Sequence, residues 1–179
     1  DLVLVHKPDF SDLPLSLDGW RIAYDDTLAM ASEVRKEVGL GVRVVLGPHP
    51  ASWAHQRQAL GSEVASELYV DAVELAIEYC NEGQACAVGE VGRPHWAVEE
   101  DVWSEANELL SWTMEKAAKE NLTLQLHVEG DGASTYADLA AMAEKCGLSP
   151  SRLVRHHAPS EVDLATTAGL IPSVVVGKG

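Results

Sequence analysis

Three features of this 179-residue sequence predict an α/β protein built on a parallel sheet. Short Val- and Leu-rich runs alternate with longer segments of helical periodicity. The alternation runs from end to end without a linker, a low-complexity tract or a block of like charge, so residues 1–179 read as one domain. The run at 122–128 then bears on the architecture, because Leu122, Leu124 and Leu126 share one side while Thr123, Gln125 and His127 share the other. A doubly wound sheet meets helices on both faces and is apolar on both. A polar second face is easier to place inside a (β/α)8 TIM barrel, facing a site at the strand ends. Six strands at about 30 residues per unit make a partial barrel of about six β/α units, since eight units need about 250 residues.

The elements follow in order. Residues 2–6 (LVLVH) are the first strand. Asp25-Asp26-Thr27 can cap a helix over 25–38, which Gly39 stops. Residues 42–46 are the second strand. A helix over 62–80 carries Val64, Leu68, Ala72, Leu75 and Tyr79 at helical spacing and ends at Asn81-Glu82-Gly83. Residues 85–90 are the third strand. A helix over 99–120 keeps Val102, Ala106, Leu109, Thr113 and Ala117 in phase, and 122–128 is the fourth strand. A helix over 134–146 ends at Gly147, and 152–156 is the fifth strand. A short helix follows Pro159, and 170–176 is the sixth strand.

Bulk properties exclude several classes. Apolar residues make up 46% of the chain, too many for a disordered one. No apolar run approaches the roughly 20 residues of a membrane span, and there is no signal-peptide pattern. Cys80, Cys86 and Cys146 are odd in number and have no metal-like spacing, which predicts reduced packing thiols in a cytoplasmic protein. The chain opens on Asp1 and stops just beyond an apolar run, so it reads as part of a longer polypeptide. Unpaired edge strands would then invite homo-oligomers. Asp and Glu number 28 against 13 Lys and Arg, only six of them Lys, for a net charge of −15. Such a surface repels nucleic acid. It also suits a cytoplasm of molar salt, where screening is nearly complete. A halophilic source is therefore expected, with an acidic mesophilic surface as the alternative.

Ligands of parallel sheets bind where the strands end. Those ends carry His6-Lys7-Pro8, Gly47-Pro48-His49-Pro50, Glu90 followed by Gly92-Arg93-Pro94-His95, His127-Val128-Glu129, and His156-His157. Six of the seven histidines lie at or just beyond a strand end, and His55 lies elsewhere. Imidazoles and a carboxylate on one rim make a set of ligands for zinc and similar ions. Each residue also has a structural reading. Glu90 would cap a helix or pair with Arg93, His49 would be part of a Pro-His-Pro turn, and the other histidines would sit in the core or on the surface. Glycine on both sides of Glu90 reads as room for a metal and substrate to approach the backbone.

The blocks VVLGPHP at 44–50, AVGEVGRPHW at 87–96, LTLQLHVEG at 122–130 and SRLVRHHAP at 151–159 resemble, in order, the TatD-related branch of the metal-dependent amidohydrolase superfamily. GEVG is similar to that family's Gly-Glu-Ile-Gly block, and GPHP to its Gly-x-His-Pro block. Gly-Arg-Pro-His after the acid and Val-His-Lys-Pro near the start look most like the archaeal relatives. The resemblance covers essentially the whole chain. It implies a TIM barrel of the metal-dependent hydrolase type with one or two divalent ions, zinc first, Mg or Mn as alternatives. It implies that Glu90 is the catalytic carboxylate and a metal ligand, and that His127 and His156, rather than His157, are the histidine ligands. His49 matches a histidine that meets substrate, and Arg93 and His95 are taken as further substrate contacts. The family's first-strand His-x-His pair would precede Asp1. Its last-strand aspartate, a metal ligand and proton acceptor, would follow Gly179.

The expected function is hydrolysis by a metal-activated water, on phosphoesters in the manner of the family's nucleases. One alternative is an amidohydrolase acting on small amides or lactones. Its support is the −15 charge, since DNA binding favours basic grooves. Another is a barrel that binds a metal or small ligand without catalysis. A small-molecule or phosphoester substrate is the expected partner, with nucleic acid unsupported by charge and no membrane.

Overall fold

Six strands and five α-helices, two of them between the second and third strands, lie along the residues that the structure, a computed structural model, describes: 2–130, 132–159 and 161–174. They form two compact units, residues 1–90 and 91–179.

In the first unit, β1 (Leu2–Val5), β2 (Val42–Leu46) and β3 (Ala87–Gly92) pair in parallel, each with the next in sequence. Helix α1 (Leu17–Val38) starts well before Asp25, where the sequence placed its cap. Ser16 is the true cap, its hydroxyl accepting the Gly19 N–H at 3.1 Å. Asp25 instead lies inside the helix and accepts a hydrogen bond from Tyr79. Trp20, Tyr24 and Ala31 are the buried face of α1.

Helix α2 (Pro50–Leu60) is not among the helices that apolar periodicity predicts. Its buried residues are Pro50, Ser52, Trp53 and Gln56, and two polar side chains among four blur the apolar periodicity. The readable signals were proline at the first helical position and Gly61 at the end. Helix α3 (Ser62–Asn81) follows at once. Its buried stripe is Ala65, Leu68, Tyr69, Ala72, Val73 and Ala76, with Leu75 and Tyr79. Val64, read as part of that stripe, is 50% exposed, because the buried face runs through Ala65. Where β2 and β3 end, a Cβ on Gly47 would lie 2.7 Å from the Gly89 nitrogen, so the two backbones approach closely there.

In the second unit, β4 (Leu124–His127), β5 (Leu153–Ala158) and β6 (Ile171–Val174) pair in parallel, again each with the next. Helices α4 (Glu100–Lys119) and α5 (Ala133–Lys145) lie where periodicity placed them. The helix expected after Pro159 is a short 3₁₀ turn, Leu164–Thr166, capped by Asp163. Residues 175 and 176 of the expected sixth strand lie outside the described residues. Of the cysteines, Cys80 and Cys146 are half-buried, but Cys86 is exposed and so is no packing residue. No helix among the described residues is long and apolar enough to cross a membrane.

Candidate functional site

The first unit supplies a carboxylate and an imidazole. Glu90 is 8% exposed near the end of β3, and the Gly89–Glu90 peptide is cis. His49 caps α2: its Nδ1 accepts the Ala51 N–H at 3.1 Å. A neutral ring that accepts at Nδ1 carries its proton on Nε2. That Nε2 lies 3.4 Å from Glu90 Oε2. In this arrangement His49 is a donor directed at the Glu90 carboxylate. The turn reading and the site reading of His49 are therefore compatible, one for each ring nitrogen.

His6 follows β1 and is buried against α1. Its Nδ1 lies 2.9 Å from Thr27 Oγ1, and its ring meets Trp20 and Tyr24 edge-on at 5.9 and 5.2 Å. His55, away from the strand ends, packs on Phe10 at 5.0 Å.

The second unit supplies imidazoles. Leu126 pairs with Arg155 across β4 and β5, and Arg155 packs on Tyr136 of α5. Side chains alternate along strands, so His127 and His156, one residue further on, leave the opposite face. His127 Nε2 lies 3.0 Å from His95 Nδ1. His157, at φ +52°, stands at a register shift in β5 with its ring 4.3 Å from His156 and 5.8 Å from His127. His156 Nδ1 lies 3.4 Å from Ser173 Oγ. Burial first, then His127 and His157, hold His95 below its ordinary pKa.

Arg93 was read as a substrate contact. Its guanidinium is instead engaged within its own unit, by Glu129 at Nε and Nη2 and by Asn107 and Asp138 at Nη1. Burial alone would lower its pKa, but the Glu129 and Asp138 carboxylates more than offset that and raise it. The glycines around Glu90 also differ from expectation. Gly89 lies against Gly47, and a Cβ on Gly92 would overlap the His127 carbonyl oxygen. They admit neighbouring backbone rather than a ligand. Glu129 and Arg155 were not singled out from sequence. The place of Arg155 inside the strand segment LVRHHA was the available signal, whereas nothing local links Arg93 to Glu129, 36 residues away.

Each unit thus offers donors of the kind that divalent ions take: a buried carboxylate in the first, and imidazoles sharing a strand face in the second. Carboxylate and imidazole together fit zinc or a similar ion.

Residues 18–175 match the family described as TatD related DNase. The chain is also 30% identical to an uncharacterized protein of Methanocaldococcus jannaschii, MJ1127, over 179 residues. The match covers 99% of this chain and 61% of that protein, so the chain spans about three-fifths of the relative's length.

Proposed function

The chain belongs to the TatD-related DNase family, and from that premise we propose that it forms part of a metal-dependent hydrolase acting on phosphoesters. The observation that carries this reading is Glu90, a buried carboxylate near a strand end with an imidazole N–H aimed at it. Glu90, His127 and His156 are the proposed metal ligands, with zinc favoured by the imidazoles and Mg or Mn as alternatives. A bound divalent ion would supply Lewis acidity and a water whose pKa falls toward about 7.

The protein's own groups prepare that chemistry. His49 Nε2–H is directed at one oxygen of Glu90, which orients the carboxylate. His95, exposed and beside His127, is placed to meet substrate. Arg93 is not included as a substrate contact, because its guanidinium is committed to Glu129, Asp138 and Asn107. A cytoplasmic location and a tendency to self-associate belong to this proposal.

The −15 charge favours a second reading, hydrolysis of small amides or lactones, over nucleic-acid cleavage. Both readings are tested by one experiment in molar KCl. The purified protein is expected to hold a divalent ion by elemental analysis and to cleave a model phosphodiester, and Glu90→Ala to lose both. Wild-type metal content and activity in that variant would overturn the assignment of Glu90. Turnover of lactones without phosphodiesters would select the second reading.

A further inference from the structure

Two arginines of the second unit are almost wholly buried, Arg93 at 3% and Arg155 at 1% exposed. A buried guanidinium is costly unless it is paired and hydrogen-bonded. Both are met at one residue, Glu129. Arg93 Nε donates to Glu129 Oε2 at 2.9 Å, and Nη2 donates to Oε1. Arg93 Nη1 reaches Asn107 Oδ1 at 2.8 Å and Asp138 Oδ2 at 2.7 Å, and its plane lies 4.8 Å from the Trp103 ring. From another side, Arg155 Nη2 donates to the Glu129 carbonyl oxygen at 2.9 Å, with its guanidinium 4.4 Å from the Tyr136 ring. Thr135 Oγ1 donates to Glu129 Oε1 at 3.3 Å.

The position of this network in the chain matters. Glu129 is two residues beyond His127, and the Arg93 backbone N–H donates to the His127 carbonyl at 3.2 Å. Arg155 is the residue before His156 in β5. The segment after β4 is therefore gripped at one residue by side chains anchored beside each of the two histidines. Buried ion pairs of this kind are often replaceable by apolar groups without loss of stability. What an apolar pair cannot reproduce is the bidentate geometry.

We propose that Arg93, Glu129 and Arg155 form a strut of positioning residues that sets the imidazoles of His127 and His156 and meets no substrate. The strut rests on the reading of those histidines as site residues only for its consequence; its geometric effect is measurable without any metal or turnover.

The test compares the full chain with Arg93→Met/Glu129→Leu, which removes both charges together, and with Glu129→Gln, which keeps the shape and the Arg155 contact. In metal-free protein the imidazole ¹H–¹⁵N resonances of His127 and His156 are expected to shift or broaden in both variants, while Tm stays near wild type in the double variant and falls in Glu129→Gln, which leaves Arg93 buried opposite a neutral amide. Co(II) affinity is expected to fall about 10- to 100-fold, the usual cost of losing an outer partner of a metal ligand. If the double variant does not fold, Glu129→Gln carries the test. Unchanged imidazole resonances in a folded variant would overturn the strut. Shifted resonances in a protein that binds no metal at all would leave the strut standing and overturn the hydrolase reading.

Discussion

His6 shows how a strand-end histidine can be settled by counting protons. Thr27 Oγ1 donates its one proton to the Ala23 carbonyl at 2.9 Å, so at the 2.9 Å contact with His6 it must accept from Nδ1–H. The ring is neutral, with a fixed tautomer, and it fastens β1 to α1. Burial lowers its pKa from 6.5 to about 4. Between those values the unfolded chain binds more protons than the folded one, so stability rises with pH across that window. The contribution is fully present above 6.5, declines as the pH falls, and is lost by about pH 4. The gap corresponds to about 3 kcal/mol. Urea unfolding at pH 7 and 4.5 is expected to show a loss about 2 kcal/mol larger for wild type than for His6→Gln, because the other titrating groups are common to both. Equal losses would show that His6 does not titrate differently on folding. Glu90 and His127 stand out in the sequence by their places at strand ends. The role of Arg93 was not legible, because its partner Glu129 is 36 residues away and no periodicity connects them.

The legible elements were those with a clean apolar period. Helix α4 follows from its stripe, α5 from a helical segment that Gly147 ends, and β3 from its small apolar run. Helix α2 was invisible because Ser52 and Gln56 occupy its buried face, and α1 was read too short because Ser16, rather than Asp25, caps it. Glycine in β3 makes room for neighbouring backbone rather than for a ligand. Gly92 sits at φ +154° with its Cα against the His127 carbonyl, where a methyl group would overlap backbone that cannot yield. Gly147, at φ +75°, has open space around its missing side chain. Gly147→Ala should therefore cost only the backbone term, about 1 kcal/mol. Gly92→Ala should cost roughly 2 to 4 kcal/mol, since it adds overlap to an unfavourable conformation. Urea midpoints with equal slopes read the difference, and equal costs would mean that β3 can draw away from His127 freely. The expected separation ties the spacing of Gly92 and His127 to a single hydrogen atom.

The α/β class, a partial (β/α)8 barrel of about six units, was legible because alternation survives errors at individual boundaries, and family membership bears it out. Charge acts at the same scale and yields a separate prediction. Residues 1–90 carry 15 acidic against six basic side chains, and residues 91–179 carry 13 against seven. Two of those seven, Arg93 and Arg155, are buried, so the surface of the second unit is more acidic than its formal count. The repulsion acts between exposed carboxylates and is screened over about 10 Å at 0.1 M salt and about 3 Å at 1 M. Thermal unfolding is expected to shift upward by several degrees between 0.1 and 1 M KCl and to level off beyond it. Screening saturates once the Debye length falls below the spacing of neighbouring charges, whereas salt exclusion from the surface keeps raising Tm with concentration. The strut gives an internal control: its Arg93–Glu129 ion pair is largely buried and screened little, so the difference in Tm between wild type and Arg93→Met/Glu129→Leu should stay nearly the same across the series. A flat Tm from 0.1 to 2 M would show that the acidic surface places no demand on salt and would remove the halophilic reading.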